Sequence, residues 1–368
     1  MAEISFARGN PSPDILPVEA LADCAQAALG REGRTILNYG PAFGYGPLRE
    51  WIASEHGVEA SRIIVSTGSL QGFNFVVRHV FGEGGRAVVE APSYDRTIKA
   101  LRYLHADIDT VRLDDDGLDL NCLEAILAEH PKPGLFYTIP TFQNPSGRTL
   151  GVEQRHALAE LAQAGKILLF EDDPYRLVRY EGEELPTMFE LAGGANVVFS
   201  SSFSKTGAPG LRVGYVILPP GMVKAVEDIA AQTYVGPPLL PQAMLFEFID
   251  RGLFDTNLVF VCDALRARRD AMLETLEAEM PEGSRWSRPA GGYFLWLDLP
   301  PGVDCQTVDA KVREAGVMIV KGTDFYASEG GEESVRLAFS FVSVDEIRDG
   351  VRRLASIVRE LSAIPART

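Results

Sequence analysis

Along much of this chain, short apolar runs give way to loops of small and polar residues, and those loops to amphipathic helical stretches. Ile63–Val65 leads into Ser66-Thr67-Gly68-Ser69 and the helical pattern Leu70–Val80. Ala87–Val89 leads into Ala91-Pro92-Ser93-Tyr94, and Leu135–Ile139 into Pro140-Thr141-Phe142-Gln143-Asn144-Pro145-Ser146-Gly147. Ile167–Phe170 leads into Glu171-Asp172-Asp173-Pro174-Tyr175, and Val197–Phe199 into Ser200-Ser201-Ser202-Phe203-Ser204-Lys205. Continuous apolar runs separated by helices predict buried, mostly parallel strands in an α/β sheet. Ligands bind such sheets beyond the carboxyl ends of the strands. The pattern therefore predicts one cleft edged by Ser69, Tyr94, Asn144, Asp172, Tyr175 and Lys205.

The texture changes near residue 255. A helical, Arg-rich stretch (Ala264–Met280) precedes the strand Gly292–Asp298, a helix near Thr307–Ala315, strands at Val317–Val320 and Ser334–Phe339, and a last helix at Val344–Leu361. This order predicts a smaller α+β domain. The segment before Tyr39 is too short to fold alone and is expected to pack on it. The expected division is a segment 1–40 on the small domain, a large domain 41–254, and a small domain 255–368.

The chain has 368 residues, long enough for two to three domains, and 46% of them are hydrophobic. That proportion supports a large core and excludes whole-chain disorder. The net charge of −16 leaves no basic face for nucleic acid and disfavours anionic membranes. No apolar stretch approaches the ~20 residues that span a bilayer, and no secretory leader is visible. Four scattered cysteines form no CxxC pair, so neither a zinc site nor a disulfide scaffold is expected. A soluble, cytoplasmic protein is the expectation.

Lys205, one of only seven lysines, follows an apolar strand and a triple serine. Loss of solvation at a buried sheet edge lowers a lysine's pKa and frees a neutral amine for nucleophilic work. Contact with a phosphate is the alternative. Ser202–Lys205 also matches SxxK and Lys205–Gly207 matches KTG, but in penicillin-recognising enzymes those are separate elements with separate lysines. Asp172, just past a buried strand, needs a partner such as a protonated ring nitrogen. Asp173 is expected to cap a helix beginning at Pro174. Gly68-Ser69-Leu70 opens a helix whose backbone N–H groups favour an anion, and Ser202 and Arg212 could grip the same phosphate. No dinucleotide or P-loop fingerprint stands at a strand–helix junction.

The segment SSSFSKTGAPGLRVGY resembles the lysine-bearing segment of fold-type I, pyridoxal phosphate-dependent class I/II aminotransferases. YTIPTFQNPSGRTL and EDDPYRL resemble two further signatures of that family, in the same order. The branch most similar is the 2-aminoadipate aminotransferase type, shared with the effector domains of MocR-like regulators. The resemblance runs from ISFARGNPSPDILP to VRLAFSFVS, nearly the whole chain. ISFARGNP begins at residue 4, so the regulators' DNA-binding domain is expected to be absent.

The resemblance implies fold type I, with a mostly parallel central sheet in the large domain, and pyridoxal 5′-phosphate as cofactor. It implies that Lys205 holds the cofactor through an imine and later shuttles the substrate proton. Asp172 would keep the pyridine nitrogen protonated, Asn144 and Tyr175 would donate to the phenolate oxygen, and Tyr94 would stack on the ring. Gly68, Ser69, Leu70, Ser202 and Arg212 would hold the phosphate, joined by Tyr39 across the interface of a homodimer. Arg336, with Asn144 and Gly9, would bind the substrate carboxylate. The implied reaction is ping-pong transfer of an amino group from an L-amino acid to a 2-oxo acid, expected to be 2-oxoglutarate. A lyase, decarboxylase or oxidase on the same scaffold, or a non-catalytic sensor module, are the alternatives. Lys321 stands where relatives commonly have proline and reads as a solvated loop charge.

Overall fold

The computed structural model describes residues 3–363, so the outermost ends of the expected segments 1–40 and 255–368 lie outside the described residues. An eight-stranded sheet carries the chain's middle. Its spatial order is Ile63–Ser66, Gly214–Ile217, Val197–Ser202, Leu168–Asp172, Leu135–Thr138, Arg86–Ala91, Asp107–Asp114 and Gly117–Leu118. The five strands from Val197–Ser202 to Asp107–Asp114 run parallel to one another. Gly214–Ile217 is antiparallel to both of its neighbours.

The continuous apolar runs are explained by two buried faces. Along Val197-Val198-Phe199 and Leu135-Phe136-Tyr137, successive side chains enter opposite cores, as the two-residue period of a strand requires. Leu135, Tyr137, Phe170 and Val198 join one core, which continues into the small domain. Phe136, Leu169, Val197 and Phe199 join the other, beneath the helices Gly46–His56 and Leu239–Asp250.

A second sheet, antiparallel, has the order Arg285–Trp286, Phe294–Asp298, Ser334–Ala338 and Val320–Lys321. The single strand expected at Val317–Val320 is in fact two. Val317–Met318 pairs in parallel with Ile4–Ser5, whereas Val320–Lys321 pairs with Ser334–Ala338.

The expectation that all of segment 1–40 packs on the small domain needs correction. Residues 4–14 do attach there. Phe6 N donates to Met318 O at 2.8 Å, Ala338 N donates to Phe6 O at 2.8 Å, and Arg268 donates to Ser12 and Asp14. The helix Val18–Ile36 instead lies on Leu239–Asp250, and its buried stripe of Leu21, Cys24, Ala28 and Ile36 belongs to the large-sheet core. An apolar stripe declares that a helix is buried but not against which partner. The expected 254/255 boundary falls in the first turn of the helix Leu253–Glu279, which joins the two units without a linker.

Candidate active site

The carboxyl ends of the parallel strands open onto a cavity of about 350 Å³ between the two sheets. One wall is set by strand register. Ser66 and Ser202 both pair with Gly214 across neighbouring strands, so the turn after Ser66 and the end of the Lys205 strand share one edge. A Cβ at Gly214 would overlap the Ser69 amide and Gly68, so only glycine allows this approach.

Gly68 precedes the helix Ser69–Phe81 with φ +96, and a Cβ there would overlap the Arg212 guanidinium. The first N–H groups of a helix have no intrahelical acceptor, and the helix dipole favours an anion at that end. Ser69, Leu70, Ser202 and Arg212 border the same space. Arg212 donates to Thr67 O at 3.1 Å and remains exposed, and Ser202 Oγ donates to Ser204 Oγ at 2.9 Å. The result is a cationic, donor-rich cradle.

Lys205 Nζ donates to Gly9 O at 2.7 Å and lies 5.0 Å from the centre of the Tyr293 ring. Burial, reinforced by the Arg336 and Arg212 charges, lowers its pKa to about 8. A useful fraction of neutral amine therefore exists near neutrality.

Asp172 ends the strand Leu168–Asp172 and is buried. Its Oδ2 accepts from Tyr137 Oη at 2.7 Å, while its Oδ1 is buried without a partner. Burial raises its pKa to about 6 against the opposing Tyr137 bond. A buried carboxylate oxygen left unpaired is costly, and a cationic N–H in the cavity would satisfy it.

Arg336, on the strand Ser334–Ala338, is buried between Phe294 and Phe325, with its Cζ 4.4 and 4.9 Å from their ring centres. It donates to Asn144 Oδ1 at 3.0 Å and to Ala7 O at 2.8 Å, and its Nε has no protein partner. Burial lowers its pKa to about 10, so it stays charged at neutral pH. Tyr94 and Tyr175 also line the cavity, and burial raises the hydroxyl pKa of both, to about 12 for Tyr94 and well above its usual value for Tyr175.

Twelve of the expected site residues therefore meet in one cavity, Gly9 among them. Tyr39 does not; it is 89% exposed and lies outside the cavity lining. Lys321 is also absent from the lining and donates to Gln306 at 2.8 Å. Asp173 caps no helix, because residues 174–177 form bends and a turn. It is buried instead, its Oδ2 accepts from Thr141 at 3.4 Å, and Arg155 and Arg176 act against the upward shift that burial imposes.

Two supporting residues escaped the sequence reading. Tyr137 sits in the run LFYT, where a hydroxyl inside an apolar strand signals a buried partner. Glu90 accepts from Thr138 at 2.5 Å, from Ile139 N at 3.3 Å and from Gln143 Nε2 at 2.9 Å. Gln143 in turn accepts from Ser146 N at 2.8 Å, which braces the loop carrying Asn144.

Comparison with known proteins supplies the remaining link. The family described as aminotransferase class I and II matches residues 3–354. The chain is 33% identical to aromatic-amino-acid aminotransferase 1 of Thermococcus litoralis, over 97% of this chain and 88% of that one. It is 34% identical to the 2-aminoadipate transaminase of Thermus thermophilus, over 98% and 91%. A crystal structure of the alpha-aminoadipate aminotransferase LysN of Thermus thermophilus, complexed with N-(5′-phosphopyridoxyl)-L-leucine, superposes with a TM-score of 0.93 at 34% identity. That match covers 98% of this chain and 93% of the other. Among the described residues no helix is long and apolar enough to cross a membrane. The unpaired oxygen of Asp172, the depressed Lys205 amine and the anion cradle under Gly68 fit pyridoxal phosphate in charge and donor type. The chain belongs to the class I and II aminotransferases and is a pyridoxal-phosphate-dependent transaminase.

Proposed function

We propose that the protein moves the amino group of an L-amino acid to 2-oxoglutarate by a ping-pong mechanism in the cytoplasm, as a homodimer. The observation that carries this reading is the meeting, in one cavity, of Lys205, an Asp172 oxygen without a partner, and a buried Arg336. When bound, pyridoxal phosphate supplies a protonated pyridine ring that draws electrons from the bonds at the substrate Cα.

Gly68, Ser69 and Leu70 hold the phosphate through backbone N–H groups, Ser202 through its hydroxyl and Arg212 through its guanidinium. Tyr39 of a second subunit completes that cradle; its 89% exposure in a single chain supports this placement. Tyr94 covers one face of the ring. Asp172 holds the pyridine N–H, and Asn144 and Tyr175 donate to the ring oxygen. Arg336 fixes the substrate carboxylate, steadied by its bond to Asn144 and bordered by Gly9. Lys205 would hold the cofactor and, with its amine free, would take the substrate's Cα proton on Nζ and give it up to the cofactor's C4′ carbon. A neutral Nζ is needed for that step, and burial favours it by lowering the Lys205 pKa to about 8.

Absorption spectroscopy tests the reading. The purified protein with cofactor should show a visible band that an L-amino acid donor bleaches and 2-oxoglutarate restores. A band that no amino acid changes would overturn the transfer, and restoration by other 2-oxo acids alone would overturn the acceptor.

The cradle offers a separate check. In Gly68→Ala the new methyl group meets Arg212 at a φ that suits glycine, a strain of about 1–3 kcal/mol. Affinity of the apoprotein for pyridoxal phosphate should fall roughly tenfold to a hundredfold, measured by titration of the visible band. Unchanged affinity would place the phosphate elsewhere.

A further inference from the structure

Four cationic side chains line the cavity, and the reading above gives work to Lys205, Arg212 and Arg336 only. The fourth is Arg96, in the first turn of the helix Asp95–Tyr103 and two residues beyond Tyr94. Its nearest acid is the adjacent Asp95, with Arg96 Nε 3.7 Å from Asp95 Oδ2. That same oxygen is already held by Lys99 Nζ at 2.6 Å, one helical turn on. Asp95 is thus committed to Lys99, and Arg96, its side chain 60% exposed, lines the cavity with no strong partner.

We infer that Arg96 binds the distal carboxylate of dicarboxylic substrates, and so selects 2-oxoglutarate and acidic amino acids over their monocarboxylic counterparts. The inference rests on the transaminase reading above, with Arg336 on the α-carboxylate. A dicarboxylic substrate presents a second anion at the far end of a short methylene chain. Within the cavity lining, the anionic groups are Asp172, at the ring-nitrogen position, and Asp95, paired with Lys99. Arg212 is held in the phosphate cradle, its guanidinium against Gly68 and bonded to Thr67 O. Arg96 is therefore the lining cation that remains for a distal carboxylate. A planar guanidinium can take it in a two-pronged bond, whereas a monocarboxylic side chain would leave the cation to water. In a chain of net charge −16, a cationic cavity also focuses dianions toward the site.

The test compares wild type, Arg96→Gln and Arg96→Lys, each loaded with cofactor. The ratio of kcat/KM for 2-oxoglutarate over pyruvate should fall roughly tenfold in Arg96→Gln, since solvent screening weakens a charge this exposed, and Arg96→Lys should recover part of it. The difference should shrink as salt rises. Calorimetry with unreactive glutarate gives a readout independent of turnover: its dissociation constant should rise in Arg96→Gln by the same factor, and that of butyrate should not follow. An unchanged ratio together with unchanged glutarate binding would overturn the inference. A loss of pyridoxal phosphate affinity in Arg96→Gln would also overturn it, moving Arg96 to the phosphate. Absence of turnover with every 2-oxo acid in all three proteins would instead overturn the acceptor reading, and glutarate binding would still decide the role of Arg96.

Discussion

Lys205→Ala should lower the rate of amino-group transfer by about 10⁴-fold or more, since one residue supplies both the anchoring amine and the positioned base. The protein should still fold. Lys205 Nζ has one bond, to Gly9 O, and its loss costs about 1 kcal/mol. Against that loss stands the relief of a desolvated cation. The folded pKa of Lys205, about 8, lies below the ordinary 10.5, so its contribution to stability is fully present above 10.5 and is lost as pH falls through about 8. Near neutrality the wild-type apoprotein therefore carries a cost that the variant lacks. Single-turnover rates, with circular dichroism as the folding control, decide the matter. Added methylamine should restore part of the rate, because a free amine can carry the proton that Nζ carried. Near-normal transfer without any added amine would sink the assignment.

The same amine predicts how loading depends on pH. Covalent capture of pyridoxal phosphate by wild-type apoprotein should accelerate as pH rises through about 8, because only the neutral amine attacks. A stopped-flow rate that is flat across that range would show that the amine is not the titrating group.

How much of this site could be read from the chain depended on distance along it. Residues at the ends of strands were legible, because an apolar run followed by polar residues marks a strand's carboxyl end wherever it lies in the sheet. Lys205, Asp172, Asn144 and Tyr94 all meet in the cavity for that reason. The antiparallel direction of the strand Gly214–Ile217 was hidden, since an apolar run carries no sign of strand direction and its place between two other strands is a matter of tertiary pairing. The Asp173 reading failed on a local rule. An acid before proline suits a helix cap, but Arg155, Arg176 and Thr141 had a stronger claim on it, and nothing in the spacing announces them. Tyr137 and Asp172 are likewise 35 positions apart and meet only because their strands are neighbours. The helix Val18–Ile36 shows the same limit at a larger scale, its stripe being visible and its partner not.

Asp172→Asn should separate two effects with opposite signs. Asparagine keeps an acceptor for the Tyr137 hydroxyl, now 2.7 Å from Oδ2, but cannot hold a positive charge on the ring nitrogen. Removing one partner of a buried ion pair costs about 3–5 kcal/mol, so single-turnover transfer should fall by roughly 10²- to 10⁴-fold. The apoprotein should move the other way. Burial raises the Asp172 pKa to about 6 from 3.8, so its contribution to stability is fully present below 3.8 and is lost as pH rises through about 6. Above pH 6 the wild-type apoprotein carries a buried charge with one oxygen unpaired, and Asp172→Asn does not. The variant's melting temperature without cofactor should therefore match or exceed that of wild type at pH 8, and the advantage should vanish near pH 4. With pyridoxal phosphate bound the order should reverse, because the ring cation then repays the wild-type carboxylate. Full transfer activity in Asp172→Asn, or a stability difference of one sign at every pH with and without cofactor, would show that this carboxylate has no cationic partner in the working enzyme.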